Sequence, residues 1–571
     1  MDDPAGRRGA GAAQGAGQMV DEGLPAARLA RGDRGALVWL LMAGAVVGLV
    51  ALPIATVLAH LFIPSEGVWP QLMETVLPVY LRNTILLAAL VAALAVVIGV
   101  TTGWLVATCD FPGRRTLEWA LMLPMAMPGY VIAYVAFDRL SYWGPVQSTL
   151  RATFGWGRDD YWFPQIGSLP GAALLLGLVL YPYVYLLSRV AFLRQSARLI
   201  EAARALGVGP FEAFRRVALP IAWPAIAAGA AFAVMETIAD YGTVLHLGVQ
   251  TLSTGIFRTW FARGAPVAAA QLAALLLGLA ALGFVAERAL RGRRRFASDP
   301  SGRAPEIRRT RLRGARALGA AIACAVPVLF GFVLPAAELL RLAIIAGDPL
   351  FGARFAGFAL NSLGMAAGTA AALVGAAVLI VQARRLLPGR VSAAVAGFAS
   401  FGYAVPGAVI ALGVLIPLAT FDRAVDGAMR AMFGVSTGLL LTGSIAALLL
   451  AYMVRFLAIA LRSVEAAFAR IPPSLEEAAR ALGASRREVL WRVHLPMVRG
   501  GLLSAAIFVF ADVMKELPAT LIVRPFDFDT LAVRVFRLAS DGRLEQASTG
   551  ALAIVLVGIL PVILLSRALN R

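Results

Sequence analysis

Apolar residues occur along this chain in long runs, which polar and charged residues interrupt at fairly regular intervals. Most of these runs reach the roughly 20 residues that an α-helix needs to cross the hydrocarbon core of a membrane. A helix is expected because it satisfies its own backbone hydrogen bonds, which lipid cannot do. The pattern predicts an all-α polytopic membrane protein of about twelve spans, at residues 36–62, 84–107, 118–137, 170–192, 222–239, 266–286, 316–342, 361–383, 392–418, 437–461, 499–523 and 547–567.

The composition supports lipid as the main solvent of the chain. Of 571 residues, 60% are apolar and 15% are charged, whereas about a quarter of the residues in a soluble protein are charged. Residues 1–35 are rich in Gly, Ala and Arg and are expected to form a disordered cytoplasmic N-terminus. The apolar run that follows is too long for a signal-peptide core, so we expect it to remain as a membrane anchor.

The net charge of +19 is distributed unevenly between the two sides of the membrane. When alternate loops are assigned to opposite sides, most arginines fall on the side that also carries both termini. Such an excess marks the cytoplasmic side. The largest cluster, at 288–316, is predicted to be a basic cytoplasmic linker beside anionic lipid headgroups rather than a nucleic-acid site. Cys109 and Cys324 suggest neither a disulfide nor a metal site.

The heptapeptide "EAARALG" occurs at 201–207 and again, 276 residues later, at 477–483. Around it, 201–220 and 477–496 match at twelve of twenty positions without a gap. "MPGYVIA" near the third span corresponds to "VPGAVIA" near the ninth, and Asn83 corresponds to Asn361. The chain is therefore a tandem duplication.

Each repeat contains six predicted spans, an even number, so both repeats enter the membrane in the same direction. Parallel repeats imply a pseudo-two-fold axis along the membrane normal. We expect a first half at 36–287 and a second half at 317–571, joined by the basic linker 288–316.

The second copy of the repeated loop predicts two short helices separated by a glycine elbow. Ser474 and Glu477 have the spacing of a capping box, as do Ser485 and Glu488. Gly483 can adopt the left-handed conformation that ends a helix. Pro496 then marks the turn into the next span.

The first copy predicts the same shape with different residues. Gly207 ends one helix, Pro210 suits the first turn of the next, and Glu212 supplies an acidic residue there. An amphipathic loop on the headgroups and a helix-turn-helix DNA reader are the alternatives. The loop occurs twice, each time between membrane spans, which argues against both alternatives. Two equivalent loops favour binding to a partner that is itself a symmetric dimer.

The pattern Glu-Ala-Ala, Gly six residues after the Glu, and a closing Leu-Pro resembles the EAA loop of ATP-binding-cassette (ABC) importer permeases. In that family the loop forms a coupling helix in a groove of the ATPase subunit. The resemblance implies a type I importer permease fold and assigns ATPase coupling to Glu201, Ala202, Ala203, Gly207, Pro220, Glu477, Ala478, Ala479, Gly483 and Pro496. It also implies two cytoplasmic ATPase subunits, a periplasmic substrate-binding protein and a place in the bacterial inner membrane.

The chain is not expected to hydrolyse ATP itself. A P-loop requires a lysine at the β- and γ-phosphates, whereas the sequence has one lysine, Lys515, without the surrounding glycine pattern. We therefore expect that this chain is not an enzyme and that it binds no cofactor. ATP and Mg would be used by the partner ATPase subunits.

Several ionisable residues fall at membrane depth, where they are costly and usually face a partner or a water-filled cavity. Lys515 and Glu516 point about 100° apart on a helix, so a partner for Lys515 is expected in another span, at Glu236 or Asp240. A structural ion pair and a role in substrate passage both remain open. The candidate pathway residues are Glu236, Asp240, Tyr241, Asp512, Lys515 and Glu516.

The segments "MKELPATLIVRPFDFDTLA" and "ADYGTV…TLSTGIF" resemble the fused, two-EAA permeases of the ferric-iron importer family. This resemblance implies Fe(III) as the cargo, and Asp, Glu and Tyr oxygens would suit it, although their spacing defines no metal site. Related fused permeases move thiamine or phosphonate compounds, so both stay open. None of His60, His246 and His494 forms a metal cluster, and His494 is expected at the surface.

Two other classes of function are weaker. A proton- or sodium-coupled secondary transporter can also have twelve spans in two parallel halves. Paired EAA loops would have no purpose in such a transporter. A membrane enzyme is also less favoured, because the sequence shows no constellation of nucleophile, base or metal ligands.

Overall fold

The computed structural model describes residues 34–569, except 66, 195–206, 208, 292–308, 349–351 and 400–401. Nearly all of the predicted N-terminal tail and most of the basic linker lie outside this described part. Within it, eleven helices are long and apolar enough to cross a membrane, or twelve if one sharply bent pair counts as a span. The predicted all-α polytopic fold is confirmed.

The first half consists of helices and a short strand. The α-helices are α1 (Arg34–Ala59), α2 (Val68–Thr75), α3 (Leu77–Thr108), α4 (Arg114–Ala120), α5 (Gly129–Leu140), α6 (Pro145–Phe154), α7 (Leu169–Arg194), α8 (Pro210–Ala213), α9 (Leu219–Ala239), α10 (Gly242–His246), α11 (Leu252–Phe257) and α12 (Pro266–Arg291). Turns of 3₁₀-helix occupy His60–Phe62 and Leu123–Ala126, π-helical turns occupy Phe214–Ala218 and Arg258–Ala262, and strand β1 is Cys109–Asp110.

The second half has a corresponding series of membrane helices, preceded by a short strand. Strand β2 is Thr310–Arg311, and the α-helices are α13 (Gly314–Val328), α14 (Leu334–Ile345), α15 (Ala353–Leu386), α16 (Arg390–Ala399), α17 (Gly407–Phe433), α18 (Ile445–Phe468), α19 (Pro473–Ala481), α20 (Arg486–Glu488), α21 (Leu495–Met514), α22 (Pro518–Val523), α23 (Leu531–Ser540) and α24 (Leu544–Leu569). Leu329–Val333 and Val489–His494 are π-helical, and Gly402–Ala404 is a 3₁₀ turn.

The repeated Pro-Gly motifs break a helix in both halves. The third predicted span bends by 91° between the segments 114–126 and 129–154. Pro128 and Pro406 have extended backbones (φ −63°, ψ 139° and φ −59°, ψ 144°) and precede α5 and α17. Proline has no N–H to donate and disfavours helical geometry in the residue before it.

Three predicted spans of the second half need correction. The prediction of 392–418 as one helix is wrong, because the chain breaks after α16 and the membrane helix is Gly407–Phe433. The predicted span 437–461 is displaced to Ile445–Phe468, because Asp422 accepts hydrogen bonds from the amides of Leu441 and Thr442 and holds the apolar segment before α18 in a loop. The predicted span 499–523 ends at Met514, and α22 is a separate short helix.

The two halves exchange their first spans. Helix α1 packs against α15 and α17 of the second half. In return, α13 packs against α3, α14 packs against α5, and the π-helical turn between α13 and α14 contacts α7. Each repeat therefore packs its first span against helices of the other repeat.

Equivalent hydrogen bonds confirm the sequence repeat in three dimensions. The Asn83 side-chain amide donates to the carbonyl oxygen of Gln250 at 2.9 Å. The Asn361 amide donates to the carbonyl oxygen of Asp529 at 3.1 Å. Both bonds tie the second span of a repeat to the segment before its last span.

A parallel pair of short strands joins the end of the linker to the first half. In it, Cys109 is opposite Thr310 and Asp110 is opposite Arg311. The last residues of the linker are therefore fixed beside the loop that follows α3.

Candidate functional site

The second repeated loop forms the predicted pair of helices. Every residue of α19 is at least partly exposed, and Leu482 at its end is 89% exposed. Gly483 follows with φ +85°, a left-handed conformation that a side chain with Cβ resists. Ser485 and Glu488 form the predicted capping box at α20. The result is a protruding helix that ends in a glycine elbow.

One predicted cap of this loop is wrong. Helix α19 begins at Pro473 with Pro472 as its N-cap, so Ser474 lies inside the helix and caps nothing. Proline favours the first helical turn because its fixed φ suits that position and its missing N–H has no partner there. Glu477 and Ala478 are exposed and Ala479 is half-buried. Pro496 lies in the first turn of α21.

The first repeated loop is described in part. Glu201, Ala202 and Ala203 lie outside the described residues. Gly207 has φ +81°, which matches the elbow of the second loop. Helix α8 begins at Pro210 with Glu212 in its first turn, as predicted.

Both loops enter the following membrane helix in the same way. After the second short helix, π-helical turns at Phe214–Ala218 and Val489–His494 lead into α9 and α21. Pro220 and Pro496 occupy the first turns of α9 and α21. The two candidate coupling loops therefore share the elbow, the second short helix and the joint with the membrane helix.

The prediction that His494 lies at the surface is wrong. Its side chain is fully buried, and its Nδ1 atom lies 3.3 Å from the side-chain oxygen of Gln382 on α15. Its ring also packs edge-on against Phe468. The loop sequence is polar, but the joint between α20 and α21 folds back against α15 and α18.

All six predicted pathway residues line one cavity of about 120 Å³ between the two halves. The first half contributes Glu236, Asp240 and Tyr241, near the Pro-Gly break before α5. The second half contributes Asp512, Lys515 and Glu516. A cavity of this volume is large enough for several water molecules, which would hydrate ionisable groups.

Asp240 and Glu516 occupy equivalent places in the two repeats. Asp240 accepts hydrogen bonds from the Thr243 hydroxyl at 2.8 Å and the Val244 amide at 3.1 Å. Glu516 accepts from the amides of Ala519 at 2.9 Å and Thr520 at 3.0 Å. Each carboxylate thus caps the short helix that follows it, where amide groups and the helix dipole favour negative charge.

The partner of Lys515 differs from the predicted one. Its Nζ atom lies 2.8 Å from Asp512 Oδ1, one turn earlier on α21. Asp240 accepts a hydrogen bond from the amide of Val244 in α10, and Glu236 lines the same cavity. The ion pair of Lys515 is therefore with Asp512 rather than with Asp240, and the predicted interaction with Glu236 stays a prediction.

Sequence reasoning missed Arg455 and Tyr130, which also line the cavity. The guanidinium of Arg455 lies 5.7 Å from the centroid of the Phe456 ring. Arg455 stands inside the apolar run "AYMVRFLAIA", a signal that could have identified it. Tyr130 follows the Pro-Gly break, and its buried hydroxyl has no hydrogen-bond partner among the described residues.

The ring of Tyr241 stacks on that of Phe257, with ring centroids 3.6 Å apart and planes 15° from parallel. Within the described residues, no three His, Cys, Asp or Glu side chains come together as a metal site. The geometry is that of a small cavity, whose lining includes four carboxyl groups, three tyrosines and two cationic side chains.

Comparison with known proteins gives two matches to one family. The profile of the family described as "Binding-protein-dependent transport system inner membrane component" matches residues 99–295 and again 368–571. The Fe(3+)-transport system permease protein FbpB 2 of Haemophilus influenzae is 25% identical over 491 residues, which are 85% of this chain and 89% of that protein.

Other relatives carry different names. The molybdenum transport system permease protein ModB of Escherichia coli is 26% identical over 208 residues, 35% of this chain and 88% of that protein. The probable sulfate transport system permease protein cysT of Nephroselmis olivacea is 32% identical over 163 residues, 28% of this chain and 53% of that protein.

Proposed function

Because this chain belongs to the family of binding-protein-dependent transport system inner membrane components, we propose that it carries ferric iron across a bacterial inner membrane. It is a multi-pass permease subunit of an ABC importer and has no ATPase site of its own. A substrate-binding protein and an ATPase are its expected partners. We propose two ATPase subunits that use ATP and Mg, one at each coupling loop.

The observation that supports iron is the chemistry of the cavity. Its lining includes four carboxyl groups, two cationic side chains and several tyrosines, so the carboxyl groups outnumber the cations. Buried negative charge requires compensation, and carboxylate and phenol oxygens are hard donors that suit a hard multivalent cation. The relative from Haemophilus influenzae, which is named for Fe(3+) transport, matches both halves.

Oxyanions are the main competitors as cargo. Relatives named for molybdenum and sulfate transport match part of the chain. Arg455 and Lys515 both line the cavity, and cationic donors would attract an oxyanion. The pairing of Lys515 with Asp512 reduces the charge available for such a cargo. Thiamine and phosphonate compounds remain alternative cargoes. Membership of a binding-protein-dependent family argues against the alternative of an ion-coupled secondary transporter.

Uptake into proteoliposomes tests the cargo. The permease would be reconstituted with its ATPase and internal ATP, and binding proteins loaded with Fe(3+), molybdate, sulfate, thiamine or a phosphonate would be added outside. We expect iron uptake that Glu236→Gln lowers, while Glu74→Gln, an exposed carboxyl change away from the cavity, leaves it intact. Import of an oxyanion in place of iron, or equal effects of the two variants, would contradict the proposal.

The proposed orientation places both termini in the cytoplasm. The coupling loops at 201–220 and 477–496 and the basic linker 288–316 then lie on the ATPase side. The excess of arginine on that side supports this orientation. The tail 1–35 stays a predicted disordered segment.

A further inference from the structure

The second coupling helix, α19, carries one half-buried polar side chain, that of Glu476. Of its nine residues, Glu476 and Ala479 are half-buried and the others are exposed. Such a short helix is unstable by itself. Within the described part of the chain, Glu476 makes one ion pair with a membrane helix, to Arg385, and a second contact with the ring of His494, which is ionic only when the imidazole is protonated.

Glu476 faces two cationic or ionisable groups at similar distances. Its Oε2 atom lies 3.9 Å from Nε of Arg385 and 3.8 Å from Nε2 of His494. His494 belongs to the joint that leads into α21, and Arg385 lies at the end of α15. The carboxylate therefore connects the coupling helix with two different membrane helices.

Arg385 extends this connection to a third membrane helix. Its guanidinium donates to the carbonyl oxygens of Phe468 at 3.0 Å and Ile471 at 3.3 Å, where α18 ends. His494 in turn contacts Gln382, one turn before Arg385 on α15. We define Gln382, Arg385, Glu476 and His494 as the polar node. The polar node joins α15, α18 and α21 directly beneath α19.

The sequence of the first half does not repeat the residues of the polar node. The helix that carries Asn361 is offset by 278 residues from the one that carries Asn83, and the repeated loops are offset by 276, so the four matching positions are Trp104, Ala107, Ile200 and Ala218. Ala107 and Ala218 are buried. The rings of Trp104, Phe192 and Phe214 pack together at this place, with Trp104 4.9 Å from Phe214 and 5.2 Å from Phe192. By sequence, the four matching positions of the first half are therefore apolar, whereas the polar node of the second half is polar and charged.

We propose that Glu476 is a positioning residue that holds the second coupling helix against the membrane helices through Arg385 and His494, and that it makes the two coupling half-sites unequal. This rests on the proposed coupling role of the repeated loops. Glu476 precedes the Glu-Ala-Ala motif and points toward the membrane helices, whereas Glu477 is exposed. The motif is thus left free to contact the ATPase, while its neighbour fixes the helix.

The test compares Glu476→Gln with a matched control, Glu465→Gln. Both carboxylates lie on the same half with similar side-chain exposure, 19% and 22%, and both pair with an arginine at the end of α15. Glu465 pairs with Arg384 at 3.0 Å and does not contact α19. Both variants lose one negative charge, but Glu476→Gln alone loosens the coupling helix.

Two readouts would be taken on the full chain in complex with its ATPase in lipid nanodiscs or liposomes. A spin label on Leu482→Cys, in a background lacking Cys109 and Cys324, reports the mobility of the end of α19. The ATP hydrolysed per Fe(3+) imported reports coupling. Loss of a partly exposed ion pair should raise this ratio about fivefold, since such pairs contribute up to about 1 kcal/mol and a factor of ten corresponds to 1.4 kcal/mol.

We expect Glu476→Gln to mobilise the label and raise the ratio, Glu476→Asp to do so less, and Glu465→Gln to leave both unchanged. If the Glu476→Gln variant does not assemble with the ATPase, the same two readouts on Glu476→Asp test the inference. Unchanged readouts for the Glu476 variants, or an equal effect of Glu465→Gln, would overturn the inference.

Gly483→Val separates the inference from the coupling role on which it rests. If it leaves the ratio unchanged, the coupling role itself fails. If it uncouples while the Glu476 variants do not, the inference alone fails.

Discussion

Replacing Gly413 with alanine should weaken the contact by which α1 is held to the second half. A Cβ atom added to Gly413 in α17 would lie 2.3 Å from the carbonyl oxygen of Pro53 and 2.7 Å from its carbonyl carbon. Both are backbone atoms of α1, so no side-chain rotation can relieve the overlap. Ordinary contact begins at 3.4 Å, and the helices must therefore separate locally by about 1 Å.

The expected cost follows from two opposing effects. Overpacking a well-packed interior typically costs about 1–3 kcal/mol. Alanine gains up to about 1 kcal/mol over glycine inside a helix. The net loss of stability should therefore be up to about 2 kcal/mol.

Gly427→Ala is the matched control, since Gly427 lies in the same helix and an added Cβ would meet nothing within 4 Å. Purified variants would be heated in detergent, and the fraction that stays monodisperse would be followed by size-exclusion chromatography. Gly413→Ala should lower the midpoint, and Gly427→Ala should leave or raise it. Equal midpoints for the two variants would refute the packing of α1 against α17 at Gly413.

Three further predictions concern the loops, the topology and the lone lysine. Gly483→Val should uncouple ATP hydrolysis from uptake, because a β-branched residue resists φ +85°; unchanged substrate-stimulated hydrolysis would contradict the elbow. In a variant without the native cysteines, an impermeant external reagent should label Phe526→Cys but not Leu482→Cys, both of which are highly exposed; labelling of both would overturn the orientation. Lys515→Met should lower the yield of folded protein by leaving Asp512 unpaired, and Asp512→Asn should restore it. A yield equal to wild type for the single variant would show that the pair does not contribute.

The sequence alone determined features that depend on local chemistry. Hydropathy located most of the membrane helices, because the cost of placing polar groups in lipid acts on each segment separately. The elbow at Gly483 and the cap formed by Ser485 and Glu488 follow from backbone conformation and side-chain reach within a few residues. The repeat identified equivalent positions, and the hydrogen bonds of Asn83 and Asn361 follow that equivalence.

The candidate site could be identified in part. All six pathway residues meet at one cavity, because ionisable groups in apolar spans are placed where lipid does not reach. The sequence reasoning looked for the partner of Lys515 in another span and overlooked a local one. Lys515 pairs with Asp512, three residues earlier, a spacing at which side chains are neighbours on a helix.

Tertiary structure alone decided how the halves fit together. The exchange of α1 and α13 between the repeats leaves no trace in hydropathy, because lipid-facing and protein-facing positions of a membrane helix are both apolar. The same reason explains the misplaced ninth span, where a helix break lies inside an apolar run. His494 became buried because the joint before α21 packs against α15 and α18, a contact between residues more than a hundred positions apart. Such contacts depend on the packing of distant helices, which no local pattern specifies.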